Sequence, residues 1–214
     1  MIFVRKVQNM SEKTISVNGV NHPKTRVGMT KMDKLIDAAE ELFSTKGFYQ
    51  TSIVDICRGA GSAVGTFYIY FETKTDIYRF MMKKYEKEIK SRLSEAIKNA
   101  TTRYEKEREG IKCFIKYAVK TPNVYNIIWG SLSIDRNMFV DYYVSFSKSY
   151  TKALSHEISE VNTEDPTTMA YALMGVSNFL GLRAMFESMS DEEIDAMIDN
   201  TLMPSLLSGV FKKT

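Results

Sequence analysis

Hydroxyl and basic side chains cluster in one short stretch of this sequence, and their chemistry suits contact with phosphate. Thr51 and Ser52 open a predicted helix, where free backbone N–H groups and the positive end of the helix dipole attract an anion. Tyr68 and Lys74 add a phenolic hydroxyl and a cation. Such groups position a protein on a nucleic-acid backbone without reading its sequence. The alternative for the helix start is purely local, because Ser52 and Asp55 have the spacing of a capping box.

Two of the helices that must position these side chains are predicted from caps, glycines and apolar spacing. Thr30 and Asp33 predict the start of an amphipathic helix that ends at Gly47. A compact second helix is predicted over residues 51–59, and Gly61 permits a sharp turn after it. Together with a third helix, these two helices would have the proportions of a helix-turn-helix domain. The apolar face of the first helix consists of Met32, Leu35, Ile36, Ala39, Leu42 and Phe43.

The third helix is predicted against local propensity. Residues 65–71 are rich in aromatic and β-branched side chains, which favour a strand. The turn before them and a fresh cap after them, formed by Thr73 with Asp76, favour a helix instead. We expect Phe67 and Phe71 to pack this helix against the first.

Short motifs run through the three helices in a fixed order. In combination they resemble the DNA-binding part of the TetR/AcrR family of transcriptional regulators, although a lone Ala-Gly or Thr-Phe-Tyr would carry little information. The resemblance covers residues 38–74, and the remainder is similar to the family only in the number and length of its helices. The motifs are Ala38-Ala39-Glu40-Glu41-Leu42-Phe43, Lys46-Gly47-Phe48, Thr51-Ser52, Asp55-Ile56, Ala60-Gly61 and Gly65-Thr66-Phe67-Tyr68-Ile69-Tyr70-Phe71 with Lys74.

The resemblance implies an all-α fold and a regulatory function. An N-terminal three-helix helix-turn-helix domain would be joined by a long helix to a C-terminal helical ligand-binding and dimerisation domain, with about nine helices in all. The protein would bind a palindromic operator in double-stranded DNA as a homodimer, because one helix-turn-helix contacts only a few base pairs. A small apolar or amphipathic effector would release this repressor from DNA.

The DNA contacts implied by the resemblance include one departure from the family. Ser62-Ala63-Val64 stands where the family usually has an apolar residue, a serine and a lysine, so a hydroxyl moves by one position and a cation is lost. Ser62 becomes the candidate N-cap. Val64 would place methyl groups in the major groove, and we hypothesise contact with a thymine methyl rather than a guanine edge. The implied contacts are Thr51, Ser52, Ser62, Ala63, Val64, Gly65, Thr66, Tyr68 and Lys74, with a solvated lysine as the alternative for Lys74.

Three segments are expected along the chain. Residues 1–29 show no periodicity and are expected to form a flexible basic arm, residues 30–76 the DNA-binding domain, and residues 77–214 the ligand-binding and dimerisation domain. Six Lys or Arg and one Glu lie between Met1 and Lys31. That excess suits attraction to phosphates or the minor groove, with a disordered soluble tail as the alternative.

The C-terminal segment is predicted to consist of long helices after a connector that begins at Thr73. Pro204 should kink the last helix. Helices are predicted near residues 102–120, 123–130, 135–159, 166–188 and 191–211. The last two carry small residues among Met and Leu, which suits a four-helix bundle between subunits, although the same stripes could serve the subunit's own core. The expected dimer interface is Met174, Asn178, Gly181, Leu182, Met185, Met197, Thr201, Leu202 and Ser205.

An aromatic excess in the middle helices predicts a ligand pocket. Tyr and Trp have polar ends that need partners, and pockets between bundle helices are lined in this way. Plain core is the alternative for each residue, and a solid core would favour control by a protein partner instead of a small ligand. The expected pocket residues are Phe114, Tyr117, Trp129, Phe139, Tyr142, Tyr143, Phe146 and Phe179.

Enzymatic chemistry is not indicated by the sequence. The chain has two histidines, and its Asp and Glu are expected at solvated helical positions. The sequence has no nucleophile elbow and no phosphate loop, so it indicates no catalytic arrangement. Cys57 and Cys113 lie far apart without a metal-ligand pattern. We therefore expect no catalytic residue, no metal and no cofactor. No apolar run is long enough for a membrane span or a signal peptide, so a cytoplasmic protein is expected.

Overall fold

The structure, a computed structural model, describes residues 19–211 apart from the side chain of Leu206, and within that range it is helical with two isolated β-bridges. The predicted all-α class is confirmed. The expected arm over residues 1–18 lies outside the described residues. The helices are α1 (Arg26–Thr45), α2 (Ile53–Gly59), α3 (Val64–Tyr70), α4 (Lys74–Ala96), α5 (Arg103–Lys120), α6 (Pro122–Ile134), α7 (Arg136–His156), α8 (Pro166–Phe186) and α9 (Asp191–Met197), with a 3₁₀ turn at Ile158–Glu160 and a π-helix at Ile198–Leu207.

The chain divides into two compact units, one ending at Met81 and the other beginning at Met82. The expected boundary at residue 76 falls inside α4, and this helix contributes residues to both units. No helix among the described residues is long and apolar enough to cross a membrane.

The first helix begins earlier than expected. Thr25 is its N-cap, and the Thr25 side chain accepts a hydrogen bond from the backbone N–H of Gly28. Thr30 lies one turn inside the helix, where its hydroxyl donates to the carbonyl of Arg26 at 3.1 Å instead of capping. A hydroxyl at either position could cap a helix, and the one nearer the chain start does so here. Gly47, with φ of +85°, follows the end of α1 as predicted.

Residues just before α1 pair with the end of α3. Val20 forms an antiparallel bridge with Phe71, and the backbone N–H of Asn21 donates to the carbonyl of Tyr70 at 2.8 Å. Val20 is buried. The expected boundary of the arm at residue 29 is therefore too late, because Gly19 and Asn21 are hydrogen-bonded to residues at the end of α3 and residues 26–29 belong to α1.

The second unit is centred on α8, which packs against α5 and α7. Ile115, Leu154 and Leu173 are buried in its core. The carboxylate of Asp199, in the π-helix, accepts from Arg108 at 2.6 Å and from Lys112 at 2.7 Å. Ion pairs as well as packing therefore hold the π-helix against α5.

The last helix changes type along its length. The α-helix ends at Met197, and the following π-helix contains Pro204. Proline crowds the preceding turn of an α-helix, and a wider π turn relieves that crowding. The expected kink at Pro204 stays a prediction.

Candidate nucleic-acid interface and ligand cavity

The third helix has one exposed and one buried face. Val64, Tyr68 and Ile69 are 40%, 48% and 59% exposed, whereas Phe67 is buried and Phe71, just after the helix, is also buried. The prediction that the two phenylalanines belong to the core is confirmed. The side of this short helix that faces away from the phenylalanines is therefore exposed to solvent.

No side chain caps the start of α3. Ala63 occupies the N-cap position, and the hydroxyl of Ser62 donates to the carbonyl of Ala60 at 3.4 Å. The expectation that Ser62 caps the helix is wrong, because its hydroxyl is turned back toward the preceding turn. Gly61, with φ of +60°, makes that turn in a conformation that other residues rarely adopt. Ala63, Val64 and Gly65 are all exposed at this end of the helix.

Ser52 caps α2 in the way that its spacing predicts. Its hydroxyl accepts from the N–H of Asp55 at 3.1 Å, and the Asp55 carboxylate accepts from the N–H of Ser52 at 3.0 Å. The Ser52 hydroxyl also donates to the Asp55 carboxylate at 2.7 Å, and this bond together with that from the Ser52 N–H lowers the pKa of Asp55. The capping alternative is confirmed, and Ser52 is also exposed, so a phosphate contact at the same residue stays a prediction.

Thr51 cannot make the predicted phosphate contact through its side chain. It is 1% exposed, and its hydroxyl donates toward the carbonyls of Gly47 at 2.8 Å and Leu42 at 3.3 Å. The hydroxyl therefore satisfies carbonyls at the end of α1. Those partners lie several residues away in sequence, and no local pattern distinguishes this role from a surface one.

Lys74 is also turned inward, and the expected phosphate contact is wrong for it. Its Nζ donates to the carbonyls of Phe48 at 2.5 Å and Thr51 at 2.7 Å, and lies 4.2 Å from the centre of the Phe48 ring. Burial lowers the pKa of this ammonium group. Lys74 thus fastens the loop between α1 and α2 to the start of α4.

A cavity of about 430 Å³ opens within the second unit, among α4, α5, α7 and α8. Four predicted pocket residues line it: Phe114, Tyr142, Tyr143 and Phe146. Its volume lies within the range of small-molecule sites in proteins, ~300–1,000 Å³.

The other predicted pocket residues lie elsewhere. Tyr117 and Trp129 line a much smaller gap of about 10 Å³ that shares Phe114 and Tyr142 with the cavity. The ring of Phe139 lies behind the cavity wall, 4.8 Å from the ring of Tyr143. Phe179 is 68% exposed on α8, so its assignment to the pocket is wrong.

One end of the cavity carries a buried charged group that the sequence analysis missed. Arg103 donates to Glu107, and the hydroxyl of Tyr150 donates to the other oxygen of that carboxylate. A second carboxylate, Glu157, accepts from Arg103 at 3.3 Å and from Lys106. Burial raises the pKa of Glu107, although Arg103 opposes the shift. Glu107 contradicts the expectation that the acidic residues all lie at solvated positions.

A family model described as bacterial regulatory proteins of the tetR family matches residues 35–80, which include all of α2 and α3. Residues 35–80 are therefore similar to the DNA-binding part of the TetR family. Two regulators from Bacillus subtilis strain 168 are similar to part of the chain. The fatty acid metabolism regulator protein is 37% identical over 76 residues, and the uncharacterised HTH-type transcriptional regulator YvdT is 50% identical over 44 residues.

The matched segments are a minor part of these relatives. They cover 36% and 21% of this chain, and 39% and 23% of the relatives themselves. Both relatives are named as regulators.

Two solved structures share the fold of this chain over most of its length. The fatty acid degradation regulator FadR from Bacillus halodurans has a TM-score of 0.72 at 18% identity and covers 87% of this chain and 98% of its own. A TetR-like transcriptional regulator from Rhodococcus sp. RHA1 has a TM-score of 0.68 at 17% identity and covers 84% of this chain and 96% of its own. At such identities the likeness concerns the fold alone.

Several residues that were expected at the dimer interface face the core of the second unit instead. Met174, Gly181 and Leu202 are buried within the second unit. Asn178 accepts from the Tyr125 hydroxyl through its carbonyl at 2.6 Å and donates to the carbonyl of Met174 at 2.7 Å. The core alternative is correct for Met174, Gly181 and Leu202, whereas Asn178 is half-buried. Leu182, Met185 and Met197 are half-buried, whereas Thr201 and Ser205 are exposed.

The exposed side of α8 consists mostly of residues other than those expected at the dimer interface. Tyr171, Phe179 and Phe186 are exposed, with Phe186 at 80% and Phe179 at 68%. Their spacing places them on one side of the helix, with half-buried Leu182 between the two phenylalanines. We call these four residues the α8 stripe.

Proposed function

We propose that this chain is a DNA-binding transcriptional repressor that binds a palindromic operator as a homodimer and is released by a small apolar or amphipathic molecule. The observation that carries the proposal is the exposed face of α3, set on a phenylalanine core within the segment that matches the family model. A short helix of this kind enters the major groove as the recognition helix of a helix-turn-helix.

The exposed face of α3 supplies both kinds of contact that operator binding needs. Val64 presents methyl groups, which suit a thymine methyl in the major groove. Tyr68 and half-buried Thr66 supply hydroxyls for backbone phosphates, and Gly65 adds no side chain between the helix and the DNA. Ser52, at the start of α2, would add a further phosphate contact. Thr51 and Lys74 have no part in this surface.

The α8 stripe supports the proposal of a homodimer. Large aromatic side chains exposed together mark an association surface more often than a solvated one. In a two-fold symmetric dimer the same surface of each subunit packs against its copy, so a second copy of this chain can cover the stripe. A homodimer supplies two copies of α3, one for each half-site of a palindrome, and half-sites lie about one helical turn apart, ~34–36 Å.

The cavity of the second unit favours a small effector over a protein partner. A solid core would have suited control by a protein partner alone, whereas about 430 Å³ of space among Tyr142, Tyr143 and Phe146 suits an apolar or amphipathic molecule. Two similar proteins are named as fatty acid regulators, which makes acyl chains a first choice of effector to test. Residues of α4 line the cavity, and the same helix carries Lys74 in the DNA-binding unit, so movement of α4 would link the two events.

Selection of bound sequences from a random DNA pool tests the proposal. We expect an inverted repeat, with two chains bound per duplex and affinity that falls steeply as salt is raised. The charge-matched variants Tyr68→Glu and Leu132→Glu provide the control, since both residues are exposed but only Tyr68 lies on α3. Enrichment of sites without symmetry, or equal enrichment by both variants, would overturn the proposal.

A further inference from the structure

The salt dependence expected of operator binding needs cations, and α3 supplies none. Its sequence from Val64 to Tyr70 contains no Lys or Arg. Lys74, which follows it, is turned inward onto two carbonyls. Affinity for DNA falls with salt because Lys and Arg side chains displace counterions from phosphates. Another part of the chain therefore has to supply the positive charge.

Lys24 and Arg26 form a positive patch at the start of α1. Both side chains are exposed, and residues 19–32 contain no Asp or Glu. Arg58 and Arg79, in the same unit, each form an ion pair with an aspartate three residues earlier, at 3.5 and 3.0 Å. The charge of the positive patch is not offset by an acid within its own segment.

This position is unfavourable for the stability of α1. Thr25 is the N-cap, so Lys24 and Arg26 lie on either side of the positive end of the helix dipole, and the first turn carries no acidic residue. Acidic side chains stabilise this end of a helix, whereas basic ones destabilise it. Proteins accept such conflicts with local rules mainly at functional sites.

The segment just before the positive patch is hydrogen-bonded to the end of α3. The backbone N–H of Asn21 donates to the carbonyl of Tyr70 at 2.8 Å, and its side-chain amide donates to the carbonyl of Ile69 at 3.1 Å. Ile69 belongs to the exposed face of α3. Lys24 follows Asn21 by three residues, so their Cα atoms are at most ~11 Å apart. The positive patch therefore lies close to the face of α3.

Two glycines allow this segment to pack closely on both sides of the positive patch. A Cβ added to Gly19, whose φ is +71°, would lie 2.7 Å from the carboxylate carbon of Asp76. A Cβ added to Gly28 would lie 2.7 Å from that of Pro23. Both distances are too short for a side chain. A backbone held in this way lowers the entropy cost of placing the two cations on a partner.

We propose that residues 19–26 are a second DNA-binding element, in which Lys24 and Arg26 bind phosphates beside the half-site that α3 occupies. The proposal rests on the proposed function for the place of α3 on DNA and adds the source of the positive charge. Phosphate contacts position a protein and carry no sequence information. Lys24 and Arg26 therefore set the affinity and its salt dependence, whereas α3 sets the sequence.

Two charge-matched double variants test the phosphate contacts. The patch variant is Lys24→Gln with Arg26→Gln, and the control is Lys148→Gln with Lys152→Gln, which removes two exposed cations from α7 in the second unit. Anisotropy titrations of a selected operator give the slope of log affinity against log salt. We expect the patch variant to reduce this slope by about 1.8 for each bound chain and to lower affinity at least about tenfold at about 0.1 M salt. A slope equal to that of the control would overturn the proposal.

Thermal stability and site selection separate these contacts from a role in folding. Since both cations oppose the dipole of α1, the patch variant should melt at the wild-type temperature or above it. The bases that it selects from a random pool should stay the same. A lower melting temperature with an unchanged salt slope would assign Lys24 and Arg26 to folding and overturn the proposal.

Gly19 tests the placement of the positive patch. Gly19→Ala should displace the segment from the end of α3 and lower operator affinity in the wild type, with little further loss in the patch variant. Gly209→Ala is the control, because a Cβ added there meets no described atom within 4 Å. An equal loss in both backgrounds would overturn the role of the segment.

A second duplex of random sequence separates this proposal from the proposed function. Binding to it depends on phosphate contacts and not on base recognition. A reduced slope of the patch variant on the random duplex, without selection of an inverted repeat, would contradict the proposed function and support the second element. Selection of an inverted repeat with an unchanged slope would contradict the second element alone. Absence of binding to both duplexes would contradict both.

Discussion

The Nζ of Lys74 lies 2.7 Å from the carbonyl oxygen of Thr51 and, at the same time, 2.5 Å from that of Phe48. These bonds connect the first turn of α4 with the loop that leads into α2. A cation in this position stabilises the shape of the DNA-binding unit and does not face a phosphate. Its contribution to DNA binding would therefore be indirect.

The role of Lys74 gives the first prediction. Lys74→Met leaves two carbonyls without their donor, and we expect the free energy of unfolding to fall by about 1–2 kcal/mol in urea denaturation. The slope of log affinity for DNA against log salt should stay unchanged, whereas loss of a direct phosphate contact would reduce it by ~1. Lys34→Met, at an exposed position on α1, should leave the stability as it is. A reduced salt slope with wild-type stability would contradict this role.

Val64 gives a prediction about operator sequence. Val64→Lys places a cation at the exposed start of α3, where it can donate to guanine and reach a phosphate. We expect the sites selected from a random pool to shift from thymine toward guanine at one position in each half-site, with unchanged thermal stability. Identical selected sites for wild type and variant would show that Val64 does not face a base.

The α8 stripe gives a prediction about assembly. Phe179→Glu combined with Phe186→Glu introduces like charges where a second copy would pack, and we expect the dissociation constant of the dimer to rise at least about tenfold in sedimentation equilibrium. Leu132→Glu with Ile158→Glu is the control, because both residues are exposed and lie outside α8. Wild-type self-association of the α8 double variant would move the interface elsewhere.

The capping box of α5 gives a prediction about pH. The N–H groups of Thr102 and Thr101 donate to the Glu105 carboxylate and lower its pKa to about 2. A carboxyl group with a pKa below its unfolded value stabilises the fold above that unfolded value and ceases to do so as pH falls through the folded value. The stability difference between the wild type and Glu105→Gln should thus be full near pH 7 and shrink between pH 4.5 and 2.

Thr102→Ala is the matched control for the pH prediction. This change removes the hydroxyl that accepts from the N–H of Glu105 and leaves the carboxylate and its backbone donors in place. Its deficit in melting temperature should change less over the same pH range than that of Glu105→Gln, because the Thr102 hydroxyl contributes least to the lowered pKa of Glu105. A deficit of Glu105→Gln that is equally independent of pH would contradict the assigned hydrogen bonds.

The DNA-binding unit was predictable because its signals are local. Two helix caps are formed by residues only three positions apart, Ser52 with Asp55 and Thr73 with Asp76. Gly61 adopts the positive φ that its turn requires. These signals correctly outweighed the strand propensity of residues 65–71. The same reasoning could not choose between Thr25 and Thr30 as the cap of α1, since both have the chemistry for it.

Roles that depend on distant partners were missed. Lys74 finds its carbonyl partners more than twenty residues earlier in the chain, and nothing near it in sequence reveals them. Phe179 was misplaced because α8 is apolar on all sides, so helical period does not indicate which face is buried. Glu107 could have been found, because it shares a helical face with Ile111 and Phe114.

Fluorescence anisotropy with a selected operator duplex tests the central claim, recognition by the exposed face of α3, most directly. We predict that Tyr68→Glu lowers affinity at least about thirtyfold at low salt, because a carboxylate would lie against phosphates, while Leu132→Glu stays within about twofold of the wild type. Both variants should melt within a few degrees of the wild type. Equal operator affinity for folded Tyr68→Glu and Leu132→Glu would contradict the account.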